Sequence, residues 1–392
     1  MREISVSKEV LILGSGIGGT RVSLNLSSSG LKVHLLERKP AVSCLELKDK
    51  VKQNKDINLI TSGKLVNLKG QVGNFEVKIL KENEEVNLKV GAIVIAEEPN
   101  FKFIKDDFGI DLSDNIITQS QLQRILNPEG KKRRDILNIA GEKPDNISFI
   151  LSNASQEGRA STVFCLKNSL ILRKKLGSEV YVLCKDLKVA GDGIEKIYRE
   201  TRDSGVVFLK YKSIPEFTLD KDNPNLIIED YYLNKKISLP FDLLILDERI
   251  LPDENFKELS SILKVDLDER GFTQSENINL YPVNSNRKGI FFIENHDTDL
   301  YLDDILEEAQ LIVEDIFCLL SKGKIIVEEK VSLDAGKCAL CLTCVRSCPH
   351  KAIEPGFDKE ADKKCAVIFP EACFGCGICA GLCPAKAINM VE

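Results

Sequence analysis

Apolar runs with the period of strands alternate along this chain with runs of helical period. Val10 to Leu13 is a short, continuously apolar run, and the segment after it is helical, with apolar Val22, Leu24 and Leu26. Gly30 then precedes a second apolar strand, Lys32 to Leu36, which ends in Glu37. Ile57 to Leu68 and Phe75 to Val90 read as strands with a charged turn at Asn83 to Glu85, and Ala92 to Ala96 as a further buried strand. Gln119 to Leu126 is helical, and Asn127 to Asp135 is a polar connection whose four-base run is read as a solvated loop. A second α/β unit starts at Ile147, with a helix through Ser169 to Lys175, Gly177 and the strand VYVLC. Strands around Val206 to Leu209, Leu226 to Glu229 and Leu243 to Leu246 are expected to continue its sheet. A late strand, Gly289 to Ile293, and a helix of period 3.6 with an acidic face, Leu302 to Leu320, suggest a return to the first unit.

The turn after the first strand reads Gly14-Ser15-Gly16-Ile17-Gly18-Gly19. G-x-G-x-x-G alone is weak; here it sits between a strand and a helix, with Glu37 ending the next strand. That is the arrangement of a dinucleotide-binding βαβ unit. Gly14 allows the tight turn, Gly16 lets backbone approach a pyrophosphate, and Gly19 lets helix and strand pack closely. The helix N-terminus offers N–H donors and a positive dipole end, and Glu37 would accept hydrogen bonds from ribose hydroxyls. The alternative is a βαβ scaffold kept without its ligand. The corresponding turn of the second unit, Ser152 to Gly158 (SNASQEG), has no glycine triplet, so nicotinamide binding is not expected there.

The C-terminal segment contains CALCLTCVRSCP from Cys338 and CFGCGICAGLCP from Cys373, two copies of C-x-x-C-x-x-C-x-x-x-C-P set 35 positions apart. In such runs three thiolates hold one iron–sulfur cluster and the fourth crosses to the other. Cys338, Cys341, Cys344 and Cys383 are thus assigned to one [4Fe-4S] cluster, and Cys373, Cys376, Cys379 and Cys348 to a second. Gly375, Gly377, Ala380 and Gly381 leave room for an inorganic cube and free backbone N–H groups to face its sulfurs. Zinc takes paired hooks of varied spacing, and disulfides imply export, for which the charged start MREISVSKEV gives no signal. Five further cysteines, Cys44, Cys165, Cys184, Cys318 and Cys365, are read as buried filler or left without a role. With three histidines in the chain, a histidine metal site is not expected.

The 392 residues exceed one ordinary domain, and 43% hydrophobic content is ample for a sizeable core. A net charge of −6 with a pI near 5.5 argues against a nucleic-acid partner. No apolar run approaches the roughly twenty residues that span a bilayer. Thirteen cysteines without an export signal suggest a reducing cytoplasm. The expected boundaries are 1–145 for the first part of a Rossmann domain, 146–270 for an inserted second one, 271–328 for the return, and 329–392 for a ferredoxin domain.

The glycine turn with Glu37, the inserted second unit, the return strand and the tandem cysteine tail together resemble the A subunit of heterodisulfide reductase, over essentially the whole chain. The resemblance implies a thioredoxin-reductase-like α/β fold of two dinucleotide-binding domains, carrying an α+β two-[4Fe-4S] ferredoxin domain. It further implies FAD beside the clusters, with Gly14, Gly16, Gly19 and Glu37 as FAD contacts. Partners would be B-type and C-type subunits, with a ferredoxin or an electron-donating enzyme, and some members bifurcate electrons at the flavin. The chain departs from the family pattern at four places. An A-T-G motif after the Ala92 to Ala96 strand is replaced by Glu97-Glu98. The late strand ends Glu294-Asn295-His296, the glycine pair usual after the ribose-binding acid is missing from Arg38 to Ser43, and a ferredoxin insertion is reduced to the Asn83 to Glu85 turn. On this reading the phosphate end of the FAD site is intact and its ring end is altered.

The function expected is that of an electron-transfer subunit in a heterodisulfide-reductase-like complex. A flavin-free relay or assembly subunit on the same scaffold is the second reading. A free-standing NAD(P)H-dependent disulfide reductase ranks last, because Cys44 has no near neighbour in sequence to form a redox pair.

Overall fold

The computed structural model describes all residues except 45, 83, 127–142, 153–157, 192, 219–223, 294–301 and 392, and only the backbone of 158, 159, 302 and 303. The basic run at 127–135, most of the SNASQEG turn, Asn83 and the Glu294-Asn295-His296 ending fall outside the described residues. The chain divides into two compact units: Met1–Pro99 with Pro252–His296 and Leu302–Glu392, and Asn100–Leu251.

In the first unit a seven-stranded sheet runs Ser275–Asn277, Tyr281–Ser285, Ile290–Phe292, Ala92–Ile95, Glu9–Leu13, Lys32–Glu37, Ile57–Thr61. Its last five strands are mutually parallel, with Val10 paired to Val33 on one side and Ala92 on the other. Continuous apolar runs are required here because both faces are covered. Val10, Ile12, Val33 and Val94 pack against the helices Ile17–Ser28 and Leu302–Leu320, which contribute Val22, Leu26, Ile312 and Ile316. Leu11, Leu13, Leu36 and Ile95 face an antiparallel three-stranded sheet, Gly63–Lys69, Phe75–Lys81 and Glu84–Val90, and the helix Phe256–Leu263. The stretch read as one strand from Ile57 is thus two strands of different sheets, separated at Ser62, whose φ of 55° breaks the extended backbone.

The helix Leu302–Leu320 exposes Glu307, Glu314 and Asp315, with Asp304 and Glu308 half-buried. Cys318 is exposed as well, which corrects the reading of it as buried filler: the inward stripe runs through Ile312, Ile316 and Leu320.

The second unit centres on a parallel sheet in the order Ile116–Thr118, Leu243–Leu246, Asn146–Leu151, Glu179–Cys184, Val207–Lys210. Because Ile116–Thr118 pairs with Leu243–Leu246, the residues from Asn100 join this unit, and the observed division at Pro99 lies ahead of the boundary expected at 145. Cys165 and Cys184 are buried in its core. The strand Asn225–Glu229 does not continue the parallel sheet. It lies between Glu216–Thr218 and Lys236–Pro240 in a separate antiparallel sheet, in keeping with its alternating burial.

Candidate cofactor sites

The glycine turn of the first unit is shaped by close approach to the strand Ala92–Ile95 and to the backbone of Ala96 and Glu97 beyond it. Gly14 has φ +104°, and a Cβ there would fall 2.6 Å from the Ala96 carbonyl carbon and 2.9 Å from the Glu97 nitrogen. A Cβ on Gly19 would meet Gly14 backbone and come within 3.0 Å of Ala96 Cβ. The positive φ of Gly14 suits the tight turn expected of it, and Gly19 stands where close helix–strand packing was expected. Thr20 and Ser23 turn their hydroxyls back onto the Gly16 and Gly19 carbonyls, each at 2.7 Å, which keeps this face of the helix small.

Gly16 is different. A Cβ there would fall 2.6 Å from the carboxyl carbon of Glu98 and 2.7 Å from its Cγ. The Glu98 carboxylate lies beside the glycine and accepts a hydrogen bond from the Ile17 backbone N–H, the first residue of the helix. A self-supplied anion therefore sits where a helix N-terminus would receive a pyrophosphate. Partial burial raises the pKa of Glu98, with the nearby Glu37 adding to the effect, while Lys39 and the Ile17 N–H oppose it. The residue as a whole stays exposed.

Glu37 is 5% exposed and held by donors of its own chain. Its carboxylate accepts hydrogen bonds from the Ser15 N–H at 3.1 Å, the Ser15 hydroxyl, the Lys39 N–H at 2.8 Å and the Ser43 hydroxyl at 3.2 Å. Three of the four converge on Oε2, and only the Lys39 N–H goes to Oε1, which keeps capacity for a further donor. The Ser43 N–H also donates to Ser15 Oγ at 2.8 Å, and the Cys44 N–H to the Ser15 carbonyl at 2.9 Å. The loop without the glycine pair is thereby pinned over the end of the strand. No sequence signal marked Ser15 or Ser43: Ser15 is a free position of the glycine fingerprint, and Ser43 lies outside it, in the loop after Glu37.

Glu97 turns the other way. Arg38 donates to Glu97 and to Asp253, both at 3.0 Å, and the three line a cleft together with Leu13, Leu36, Leu65, Phe256, Leu259 and Ile262. Burial raises the Glu97 pKa against the pull of Arg38. The fold and two of the three glycines fit FAD. The slot beside Gly16 fits it only with Glu98 moved aside.

The tail folds as a repeat. Val331–Leu333 pairs with Ile388–Met390 and Ile353–Asp358 with Lys363–Ile368, both antiparallel, and the short helices Thr343–Ser347 and Ile378–Gly381 begin 35 positions apart. Left-handed backbone recurs at the same offset: Leu340 and Gly375, Leu342 and Gly377, Lys351 and Lys386. Cys338, Cys341, Cys344 and Cys383 line one cavity; Cys348, Cys373, Cys376 and Cys379 line another. Each cavity thus takes three cysteines from one copy of the motif and one from the other. No group of three or more Cys, His, Asp or Glu among the described residues is arranged to hold a single metal ion. Cysteines spread around a void suit an inorganic cube better than one zinc with bonds of about 2.3 Å. Ala387 points its N–H at Cys383 Sγ, 3.2 Å away, the kind of contact that tunes a cluster. The second cavity also carries a ring stack, His350 on Phe374 with centroids 4.2 Å apart, and Lys288 Nζ lies 5.9 Å from the Phe374 centroid. The tail is fixed to the rest of its unit by Asn286 Nδ2 donating to the Pro349 carbonyl at 2.8 Å and Gln71 Nε2 to the Lys351 carbonyl at 3.2 Å.

Residues 337–387 match the family described as a 4Fe-4S dicluster domain. Over 89% of its length the chain is 25% identical to the iron-sulfur A subunit of CoB–CoM heterodisulfide reductase from Methanocaldococcus jannaschii, covering 70% of that protein. It is also 25% identical to the corresponding iron-sulfur A subunit, numbered 1, of Methanopyrus kandleri, over 90% of this chain and 70% of that one. The first alignment runs over 462 positions, more than this whole chain, so the relative carries segments that this chain lacks. Among solved structures, Lactococcus lactis thioredoxin reductase superposes with a TM-score of 0.50 at 15% identity, over 80% of this chain and 99% of that one. The resemblance to the A subunit of heterodisulfide reductase, read from the motifs, and the thioredoxin-reductase-like fold that it implies are borne out. Among the described residues no helix is long and apolar enough to cross a membrane.

Proposed function

We propose that this chain is an iron–sulfur flavoprotein subunit that transfers electrons within a complex like heterodisulfide reductase. The observation that carries this reading is the division of eight motif cysteines between two cavities, four and four. Cys338, Cys341, Cys344 and Cys383 would hold one [4Fe-4S] cluster, and Cys348, Cys373, Cys376 and Cys379 the other. Such clusters pass single electrons, at potentials between about −700 and +450 mV depending on charge, hydrogen bonding and exposure. Gly14, Gly16 and Gly19, with Glu37 nearby, would hold FAD once Glu98 moves aside, and FAD would supply the exchange between two-electron and one-electron traffic. The relatives are subunits of heterodisulfide reductases, which supports B-type and C-type partner subunits here, with a ferredoxin or an electron-donating enzyme upstream.

The test is paired iron and flavin quantification on anaerobically purified protein. About eight irons per chain and about one acid-released FAD are expected. Stoichiometric zinc in place of iron would overturn the electron-transfer reading. A second reading, a two-cluster relay without flavin, is favoured specifically by Glu98 lying against Gly16. Eight irons with no flavin, unchanged after incubation with FAD, would select it.

A further inference from the structure

We infer that Glu98 is a resident competitor for the pyrophosphate position, so that FAD enters this site only by displacing its carboxylate from the helix N-terminus. The inference rests on the flavoprotein reading above and adds to it the residue that controls loading.

Three observations converge. The Glu98 side chain fills the space that the absent Cβ of Gly16 leaves, the one place in the turn where the fingerprint reserves room for a ligand rather than for protein. Its carboxylate takes the Ile17 N–H, a donor a bound phosphate would use. Its neighbourhood already holds acids: Glu37 lies near enough to influence both Glu97 and Glu98, Arg38 is committed to Glu97 and Asp253, and Lys39 is the cation that acts on Glu98. A pyrophosphate arriving beside a seated Glu98 would meet repulsion and overlap together. Packing at Gly14 and Gly19 is set by backbone and cannot yield. Glu98 can, because the residue is exposed and its side chain can rotate into water.

A competing internal anion weakens every ligand that uses the position and leaves others untouched. The experiment compares wild type, Glu98→Ala and Glu98→Gln as full-length, cluster-replete chains, by titrating each with FAD, ADP and riboflavin. ADP carries the pyrophosphate without the ring system; riboflavin carries the ring system without the pyrophosphate. Glu98→Ala is expected to bind FAD and ADP at least tenfold more tightly than wild type, by a similar factor for both, with riboflavin unchanged. Glu98→Gln keeps the bulk and loses the charge, and should recover part of the gain. Iron content equal in all three shows that the fold is intact. Equal FAD affinity in wild type and both variants would overturn the inference and leave the flavoprotein reading standing. A gain for FAD without one for ADP would overturn it too, since Glu98 would then be acting on the ring. Absence of FAD and ADP binding in all three, with clusters intact, would instead remove the flavin reading and the inference with it.

Discussion

The two cofactor regions of the first unit are built by opposite rules. In the tail every cysteine that lines a cavity belongs to one of two short copies of a single motif, and the strands that close the repeat pair with each other. At the glycine turn the local motif is equally complete, yet what occupies it comes from Glu98, about eighty positions along, and from Ser15 and Ser43 closing on Glu37. A site whose ligands all lie within its motif is specified by spacing. A site that is a notch in a backbone is specified by whatever the fold brings to the notch.

The sharpest way to break the comparison is to ask whether the tail is as self-contained as it looks. Cys376→Ser and Cys348→Ser should each empty the same cavity, leaving about four irons of eight and the same surviving electron paramagnetic resonance signal after reduction. Cys344→Ser should leave the other signal. If Cys348→Ser and Cys344→Ser leave the same cluster behind, the crossing of the fourth cysteine is wrong and the tail is two separate modules.

The next largest effect is expected in the turn, where the notch is backbone against backbone. A Cβ at Gly19 would overlap the Gly14 carbonyl, which no rotamer change can relieve. Gly19→Ala should cost about 1–3 kcal/mol or more, read as a lower thermal midpoint. Iron content measured below the transition should be unaltered. An unchanged midpoint would mean that the helix can retreat from the strand, and that the fingerprint here has lost its packing role.

These contrasts explain what was legible in the chain. Strands buried on both faces announce themselves by continuous apolar runs, so Glu9–Leu13, Lys32–Glu37, Ala92–Ile95 and Leu243–Leu246 could be placed by pattern alone. Sheet membership could not: Asn225–Glu229 has a strand's composition, and only its antiparallel neighbours show which sheet it joins. Cys318 misled because a single apolar neighbourhood, IFCLL, does not say which side of a helix faces inward. Glu97 and Glu98 were visible as anomalies, and the repulsion they bring was foreseeable. Which one would reach the phosphate end was not, since adjacent residues of an extended segment point to opposite sides: Glu97 goes to Arg38 and Glu98 to Gly16.

The smallest effect separates the two halves of the tail itself. Gly375 and Leu340 occupy equivalent left-handed positions, with φ of 78° and 50°. A side chain in that conformation costs about 1 kcal/mol or slightly more, so one copy of the motif bears a strain that the other avoids. At Gly375 an added Cβ would lie 2.8 Å from Lys330 Cδ, a flexible chain that can yield, so backbone conformation rather than space sets the outcome. Gly375→Ala should therefore lower the thermal midpoint by the equivalent of about 1 kcal/mol. Leu340→Gly should gain a similar amount, less what the half-buried leucine contributes by packing. Opposite signs in the paired variants would show that the repeat imposes this conformation on whatever residue stands there. Equal losses would mean that Leu340 has become essential to the wall of its own cavity and that the two cages are no longer equivalent.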